Sequence, residues 1–330
     1  MIQMVLYSLL LRLYGFFVLH LFGLWIFALQ LAHVYYGTQN KRFNFVRQER
    51  KIFVVTGGLG GIGRKVTERL MSLGAFVIIT GRRPNKDPSL KKSMEELSAL
   101  SSSFKYFQVE LESMSNTVRF CDTVKASFDR LDGLICNAGT LGPSYRTTPE
   151  GFESQQAVNY LSPIVLMDQF QSLLKSTEGR VVLVSSAAHR IGYCNLDDFM
   201  FSKAYCPYLG YVQSKLALVA YTRHVGPTLL RECGITVNAV HPGVVNTGLY
   251  SNPIVKLIGK IAFISATTSA ETILFPLLSA TLERVTGQYM ENCEISLPAT
   301  RVMDREFTEN LYKYTRNLLG PWLQPHQAAN

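Results

Sequence analysis

The stretch TGGLGGIG, Thr56–Gly63, holds five glycines in eight positions and directly follows the apolar run IFVV at 52–55. Glycine is costly in conformational entropy, so this density is typical of backbone that bends tightly or lies close to another group. The segment RKVTERLMSLG after it predicts a helix that ends at Gly74. A strand, a glycine-rich turn and a helix in this order predict a dinucleotide site, with the pyrophosphate at the helix N-terminus. The loop residues expected to contact the cofactor are Gly57, Gly61, Ile62 and Gly63, and a glycine-rich turn without a phosphate is the alternative.

Further apolar runs predict strands at 76–80, 104–109, 131–136, 180–186 and 235–240. Several of them are nearly continuous in Val, Ile and Leu, as strands buried on both faces of a parallel sheet are. The segments between them are long enough for crossover helices. The sequence therefore predicts a single α/β domain with a doubly wound parallel sheet of the Rossmann type.

The end of the second predicted strand bears on the choice of cofactor. Sites that prefer NAD usually place an acidic residue there to bind the ribose 2′-hydroxyl. This chain has Arg82 instead, 19 residues after Gly63. A guanidinium suits a 2′-phosphate by charge and by its fork of donors, whereas a solvated arginine is the alternative. NADP(H) is the preferred expectation, and NAD(H) stays open.

The pentapeptide YVQSK places Tyr211 and Lys215 four residues apart before the helical stretch LALVAYTRHV. Residues four apart share one face of a helix. A free phenol has a pKa near ~10, and an adjacent ammonium stabilises the phenolate and lowers that pKa. The pair therefore predicts general acid–base catalysis by a tyrosine.

In chain order, TGxxxGxG at 56–63, NAG at 137–139, VNYL at 158–161, VSS at 184–186 and YxxxK at 211–215 resemble the short-chain dehydrogenases/reductases. The likeness covers about residues 51–300. The long insert between Ser186 and Tyr211 resembles the retinol-dehydrogenase-like branch, and NLDDF, YVQSKLALV and HPGVVNTGLY resemble members of that branch that act on polyprenols.

The resemblance implies an NAD(P)-dependent alcohol dehydrogenase or carbonyl reductase. Tyr211 would exchange the proton at the carbinol oxygen, Lys215 would lower the pKa of Tyr211 and hold the nicotinamide ribose, Ser186 would bind the substrate oxygen, and Asn159 would support a relay water. The further cofactor contacts that it implies are Asn137, Ala138, Gly139, Pro242, Gly243, Val244 and Thr247. Two positions depart from the family pattern: Cys136 replaces the first Asn of NNAG, and Glu110 replaces an Asp near the adenine.

The N-terminal region is strongly apolar. No Asp, Glu, Lys or Arg occurs between Leu13 and Gly37, which is long enough to span a bilayer as a helix. We expect a membrane anchor at 1–37, a basic linker at 38–50 and the catalytic domain at 51–330. Basic residues are sparse before the apolar segment and frequent at 41–51. Because basic flanks of a membrane span stay on the cytosolic side, we expect the domain in the cytosol, on the endoplasmic reticulum membrane. A cleaved signal peptide, with a lumenal or secreted product, is the alternative.

Composition excludes some other functions. The net charge is +9, but no basic stripe with interleaved aromatics is present, so no nucleic-acid partner is expected. The six cysteines have no metal-ligand spacing, and His189 and His241 lack a ligand set, so no metal is expected.

The substrate expectation rests on the anchor and on the apolar stretch at 252–264, which carries two lysines at helical spacing. This stretch is either a core helix or an amphipathic lid on the bilayer. A membrane-entering isoprenoid such as polyprenol or dolichal is the first expectation, and retinol/retinal or a steroid is the alternative. A membrane-anchored dinucleotide-binding regulatory protein without turnover, and a homodimer, also stay open.

Overall fold

The computed structural model describes residues 43–142, 144–245 and 264–324, together with 10–11, 13–18, 21–25 and 28. Its centre is an eight-stranded sheet in the order β3-β2-β1-β4-β5-β6-β7-β8. All neighbouring strands are parallel except the last pair. The strands are β1 Ile52–Thr56, β2 Phe76–Gly81, β3 Phe104–Gln108, β4 Gly133–Cys136, β5 Arg180–Val184, β6 Thr236–His241, β7 Tyr289–Glu291 and β8 Glu294–Ser296.

Helices cover both faces of the sheet. They are α1 Gly61–Ser72, α2 Pro88–Ser98, α3 Met114–Ser127, α4 Ser154–Gln156, α5 Ser162–Gln169, α6 Gln171–Lys175, α7 Pro207–Cys233, α8 Ala266–Leu278, α9 Thr300–Met303 and α10 Arg305–Leu319. One buried cluster contains side chains of α1, α2 and α8, and the other contains side chains of α3, α5, α7 and α10. Along β1, Val54 belongs to one cluster while Phe53 and Val55 belong to the other. Both faces of the central strand are therefore buried, as its unbroken apolar sequence predicts.

Several helices begin and end at residues that cap them. The side chains of Asp87, Ser113 and Asp304 each accept a hydrogen bond from a first-turn backbone N–H of α2, α3 and α10. The long helix α7 begins with a proline and ends at Gly234, whose φ of 70° is typical of a left-handed C-terminal cap.

The predicted Rossmann-type sheet is confirmed, with all six predicted strands in place and the seventh and eighth missed. These two strands have three residues each and are joined by Asn292 and Cys293, whose φ values are 52° and 60°. Positive φ at both positions suits a tight hairpin turn, but the pair lacks the glycine that usually marks one. The sequence therefore carries little signal for this hairpin.

The chain before the sheet packs on the domain from residue 43 onward. Arg69 on α1 donates to the carbonyl of Phe43 at 3.1 Å, and the backbone N–H of Gln48 donates to the carbonyl of Leu73 at 2.8 Å. Further upstream, the described residues between 10 and 25 are helical. Among all described residues, no helix combines the length and apolar character needed to cross a bilayer. Most of the proposed anchor, Thr247 and residues 252–263 of the proposed lid lie outside the described residues.

Candidate active site

The glycine-rich loop is shaped by close approach of its own backbone. A Cβ built on Gly63 would lie 2.3 Å from the carbonyl oxygen of Gly57 and 2.5 Å from Nδ2 of Asn137. Gly57 and Gly61 have φ values of 66° and 51°, in the region that favours glycine. The backbone geometry thus favours glycine at three of the predicted loop positions, Gly57, Gly61 and Gly63. The loop delivers the chain into α1, whose first residues include Ile62.

The loop is joined to the end of β4 by one side chain, Thr56. Its Oγ1 accepts hydrogen bonds from the backbone N–H groups of Asn137 and Ala138, both at 3.0 Å. In return, Nδ2 of Asn137 donates to the carbonyl of Thr56 at 3.0 Å. Asn137 and Ala138 therefore lie directly beside the glycine loop. Cys136, which precedes them, is buried, and burial raises the pKa of its thiol.

A pocket of about 480 Å³ opens beside the loop, at the carboxyl ends of β1 and β2. It is lined by Gly57, Leu59, Gly60, Thr80, Gly81, Arg82, Arg83 and Glu110. Arg83 is engaged with α2 through its hydrogen bonds to the carbonyl of Ser89 and Oγ of Ser93. Arg82 and Glu110 are exposed at the pocket.

This pocket fits the adenosine end of a dinucleotide. Glycine backbone forms one wall, and Arg82 supplies a cation at the end of β2. The buried Oγ1 of Thr80 has no hydrogen-bond partner among the described residues. A buried hydroxyl without a partner is costly, and a polar ligand in this pocket would satisfy it.

The predicted tyrosine–lysine pair lies on α7. Tyr211 is partly buried, whereas Lys215 is only 4% exposed. The Nζ of Lys215 lies 5.8 Å from the centroid of the Tyr211 ring and donates to the carbonyl of Val184, at the end of β5, at 2.9 Å. The hydroxyl of Ser185 donates to the carbonyl of Lys215 at 3.1 Å. These contacts hold the start of α7 against the end of β5.

Burial changes the protonation of this lysine. Desolvation lowers the pKa of Lys215 from 10.5 to about 8, and the nearby Cys136 opposes the change. The ammonium form therefore still predominates at neutral pH. An ammonium has three donors, and among the described residues one is used by Val184. The others are available to a ligand.

Ser186 follows β5 and begins the 3₁₀ segment Ala187–Ile191. Its Oγ accepts a hydrogen bond from the backbone N–H of Ala188 at 3.2 Å, which leaves the hydroxyl hydrogen to donate elsewhere. Within this segment, Nδ1 of His189 lies 2.8 Å from the carbonyl oxygen of Ser186. Nε2 of His189 accepts from the backbone N–H of Ala299 at 3.0 Å.

Of the titratable side chains in and beside this segment, His189 is neutral and Arg190 is paired with Glu291. Burial lowers the pKa of His189 to about 4, so the ring is neutral at pH 7. Arg190 makes two hydrogen bonds to the Glu291 carboxylate, at 2.8 and 3.0 Å. Burial raises the pKa of Glu291, but the hydrogen bonds from Arg190 and Ser296 outweigh it and lower this pKa to about 2. The ion pair ties the residues after Ser186 to the β7–β8 edge of the sheet.

Asn159 lies in the π-helical turn Ala157–Leu161 and is 1% exposed. Its Oδ1 accepts from the N–H of Thr140 at 2.8 Å, and its Nδ2 donates to the Thr140 carbonyl at 2.9 Å and to Oγ of Ser214 at 3.1 Å. A Cβ built on Gly139 would lie 3.3 Å from that Oδ1 and 3.6 Å from Nζ of Lys215. The side chains of Asn159 and Lys215 therefore both lie close to Gly139. π-helical turns are frequent at functional sites.

The remaining predicted cofactor residues follow β6. Pro242 is buried, Gly243 has a φ of 89°, and Val244 accepts a hydrogen bond from the N–H of Ile264 at 3.1 Å. His241, at the end of β6, has a pKa lowered to about 4 by burial. Within the described ranges, no group of three potential ligand side chains is arranged to hold a metal ion.

Several residues of the site escaped prediction from sequence. They are Thr56, the pocket residues Leu59, Gly60, Thr80, Gly81 and Arg83, and the Asn159 partners Thr140 and Ser214. Thr56 is the last residue of β1 and Thr80 the last but one of β2, and this position at the carboxyl ends of parallel strands is a signal that could have found them. The pairing of Asn159 with Thr140 and Ser214 has no local signal.

Comparison with known proteins identifies the class. Residues 51–253 match the family model of the short chain dehydrogenases. The polyprenol dehydrogenase of Homo sapiens is 34% identical over 254 residues, covering 73% of this chain and 77% of that protein. Its Danio rerio counterpart is 31% identical over 322 residues, covering 93% and 97%. Retinol dehydrogenase 14 of Mus musculus is 29% identical over 288 residues, covering 82% and 86%.

The chain belongs to the short-chain dehydrogenase family. It is an NAD(P)-dependent oxidoreductase, and the predicted resemblance to the retinol-dehydrogenase-like branch is confirmed.

Solved structures share the fold at low identity. An uncharacterised protein of Mycobacterium paratuberculosis has a TM-score of 0.69 at 24% identity, covering 84% of this chain and 96% of that one. The NADP active-site complex of Pseudomonas aeruginosa RhlG has a TM-score of 0.61 at 22% identity, covering 76% and 97%. A short chain dehydrogenase of Burkholderia cenocepacia in complex with NADP has a TM-score of 0.59 at 24% identity, covering 74% and 97%.

The close approach at Gly63 yields a stability prediction. Gly63→Ala places a methyl group against the Gly57 carbonyl, so we expect the free energy of unfolding to fall by roughly 1–3 kcal/mol. Gly60→Ala is the matched control, because a Cβ there meets nothing within 4 Å. Urea unfolding of the cofactor-free protein measures both. Equal stability of the two variants would contradict the packing described for the loop.

Proposed function

We propose that this oxidoreductase interconverts a hydrophobic isoprenoid alcohol and its aldehyde, with NADP(H) as the preferred cofactor. One observation carries the catalytic part: the Lys215 ammonium lies beside the Tyr211 ring, buried and held by the carbonyl of Val184. A buried cation next to a phenol stabilises the phenolate, which is the form that must exist during proton exchange.

In the proposed reaction, Tyr211 donates its proton to the carbonyl oxygen during reduction and takes it back during oxidation. Ser186 donates a hydrogen bond to the same oxygen, since its Oγ already accepts from Ala188. That donor stabilises the negative charge which develops on the oxygen. When bound, the nicotinamide cofactor supplies or accepts the hydride.

Lys215 and Asn159 support this exchange. The two unused donors of Lys215 suit the hydroxyls of the nicotinamide ribose. Asn159 holds Thr140, and with it Gly139, beside Lys215. The position of Asn159 in a π-helical turn supports a relay water between this turn and Lys215.

The cofactor preference rests on Arg82. It lines the pocket at the end of β2, where a carboxylate would favour the ribose hydroxyl of NAD. Glu110 is the acidic residue in the lining of this pocket, and we assign it to the adenine side. Asn137, Ala138, Pro242, Gly243, Val244 and Thr247 are proposed to contact the rest of the cofactor.

The substrate class rests on the names of relatives and on the N-terminal region. Two relatives are polyprenol dehydrogenases, and a third is a retinol dehydrogenase, which makes retinol/retinal the second candidate. Among the described residues between 10 and 25, the exposed large apolar side chains are Leu10, Leu13, Tyr14, Phe16, Phe17, Leu21, Leu24 and Trp25. Such a surface is typical of a membrane-contacting segment.

We therefore place residues 1–37 in the endoplasmic reticulum membrane as an anchor, followed by the basic linker at 38–50 and the domain at 51–330 in the cytosol. The basic residues at 41–51 support this orientation. All six cysteines are free thiols, which agrees with a reducing compartment.

Tyr211→Phe tests the catalytic assignment. Removing the hydroxyl should lower kcat by about a hundredfold to ten-thousandfold, because no other group replaces the proton donor. Binding of NADPH, followed by nicotinamide fluorescence, should be unchanged. Tyr312→Phe is the control, since it removes a hydroxyl from a tyrosine on α10 that stacks on His224. Near-normal turnover by Tyr211→Phe with a prenyl aldehyde would refute the mechanism.

Arg82→Asp tests the cofactor preference. Repulsion replaces attraction at the 2′-phosphate, so the Kd for NADPH should rise by about tenfold or more while that for NADH changes far less. Lys86→Asp makes the same change of charge outside the pocket lining and should leave both values unaltered. If Arg82→Asp raised the Kd for NADPH and for NADH equally, Arg82 would have no contact with the 2′-phosphate.

Membrane attachment is tested on microsomes. Carbonate washing should leave the full chain in the pellet, and protease added to sealed vesicles should digest the domain beyond Lys51. The physical reason is that an apolar segment of this length is retained in the bilayer. Protection of the domain would reverse the orientation, and a shortened soluble product would identify a signal peptide.

A further inference from the structure

The imidazole of His189 is bonded to the backbone of Ser186, three residues earlier in the chain. Nδ1 of the ring lies 2.8 Å from the Ser186 carbonyl oxygen, and the backbone N–H of His189 donates to the same oxygen at 3.1 Å. A carbonyl oxygen has two lone pairs and can only accept, so both are used and Nδ1 must carry a hydrogen. The ring therefore holds the Ser186 carbonyl in one direction.

The second nitrogen of the ring is bound by a residue far along the chain. Nε2 accepts a hydrogen bond from the backbone N–H of Ala299 at 3.0 Å, so Nε2 carries no hydrogen. Ala299 is buried and is the N-cap residue of α9. Both bonds thus require the same neutral tautomer, with its hydrogen on Nδ1. A neutral ring agrees with the pKa of His189, which burial lowers to about 4.

The surroundings of His189 fix the orientation of its ring. The side chain is fully buried, and its ring lies against that of Tyr289 on β7, with centroids 4.4 Å apart. A half-turn of the ring about χ2 would exchange both nitrogens for carbons and would remove both hydrogen bonds. Loss of hydrogen bonds by buried polar groups is costly, so the observed orientation is strongly favoured.

Ser186 is thus held on both sides. On the strand side, the N–H of Ser185 donates to the carbonyl of Val240 at 2.8 Å, which ties the end of β5 to β6. On the other side, His189 holds the Ser186 carbonyl, and Oγ of Ser186 accepts from the N–H of Ala188. Because both flanking peptide groups are held, the Cβ and the hydroxyl of Ser186 keep one direction.

We infer that His189 is a positioning residue of the reaction: its Nδ1–H bond to the Ser186 carbonyl holds the Ser186 hydroxyl where it meets the substrate oxygen. The inference rests on the proposed function, which assigns that hydroxyl to the oxygen. It adds a residue that acts through Ser186 and touches neither substrate nor cofactor. A donor stabilises developing negative charge only from the right place, so its displacement lowers kcat more than it raises KM.

Two substitutions separate the two bonds of the ring. The amide nitrogen of Asn lies near the position of Nδ1, so His189→Asn keeps the bond to Ser186 and loses the bond to Ala299. The longer Gln reaches the position of Nε2, so His189→Gln keeps the bond to Ala299 and loses the bond to Ser186. With geranylgeranial and NADPH, His189→Gln should lower kcat by about tenfold or more, while His189→Asn stays within about threefold of wild type.

The same kinetics show whether either variant is generally damaged. KM for the aldehyde and Kd for NADPH should stay within about twofold of wild type in both variants. His224→Gln is the matched control, since His224 stacks on Tyr312 of α10, and it should leave kcat unaltered. Equal kcat values of His189→Gln and His189→Asn, or a greater loss in His189→Asn, overturn the inference.

A double-mutant cycle tests whether His189 acts through Ser186. Ser186→Ala should lower kcat by about a hundredfold or more, because it removes the donor. In that background, His189→Gln should lower kcat by less than about twofold further, since no hydroxyl is left to be displaced. A further loss of about tenfold would come from a structural effect independent of Ser186 and would overturn the inference.

The tautomer can be measured without turnover. Nitrogen-15 NMR on the histidine-labelled full chain in detergent identifies the His189 resonances by their loss in His189→Asn. At neutral pH they should show a hydrogen on Nδ1 and none on Nε2. The opposite tautomer overturns the inference, because its Nδ1 has no hydrogen to donate to the Ser186 carbonyl.

Failure of the proposed function is distinguishable from failure of the inference. If the wild-type protein reduces all-trans-retinal but not geranylgeranial, the proposed substrate class fails, and the same variants are measured with retinal. If it reduces neither, crystal structures of the NADP complexes of both variants decide. A shift of Ser186 Oγ by about 0.5 Å or more in His189→Gln alone supports the inference, and equal positions overturn it. Normal turnover by Ser186→Ala overturns the proposed role of Ser186 and the inference together.

Discussion

The hydroxyl of Thr56 is the contact on which the cofactor side of the site depends. It accepts hydrogen bonds from two consecutive N–H groups, of Asn137 and Ala138, and so joins the ends of β1 and β4. These strands are neighbours at the centre of the sheet. The contact also sets the distance between Asn137 and the glycine loop, where a methyl group on Gly63 would collide with the Asn137 amide. Loop and strand end thus form one rigid backbone surface, which suits close approach of a phosphate.

The side of the site that holds Tyr211 and Lys215 depends on a different constraint, the burial of a cation. Lys215 has one carbonyl partner at 2.9 Å among the described residues and lies beside the Tyr211 ring. Burial in a low-dielectric surrounding strengthens the effect of its charge on a neighbouring phenol. The same burial lowers the pKa of Lys215 to about 8. The side chain is therefore still charged at neutral pH but would lose its proton in mildly alkaline solution. The π-helical turn of Asn159 and the end of β5 together enclose this charge.

Much of this arrangement was predictable from local sequence. The six strands were predicted from their apolar runs, and all of them except the edge strand β3 are buried along most of their length. The glycine loop was predicted because tight bending requires glycine, and the Tyr211–Lys215 pair because a helix brings residues four apart together. The short β7–β8 hairpin was not predicted, because its turn residues Asn292 and Cys293 adopt positive φ without glycine. Its three-residue strands leave no periodic signal.

By itself, then, the sequence determined the strand order along the chain, the glycine loop and the spacing of the Tyr211–Lys215 pair, since each depends on neighbours within a few residues. The family followed from the order of several such motifs along the chain. The tertiary structure alone decided that Thr56 binds Asn137 and that Asn159 holds Thr140 and Ser214. These partners are distant in the chain, and side-chain hydrogen bonds and close packing over such distances depend on how the strands and helices are assembled. No local propensity records that assembly, because the free energy that selects it comes from burial of the whole core.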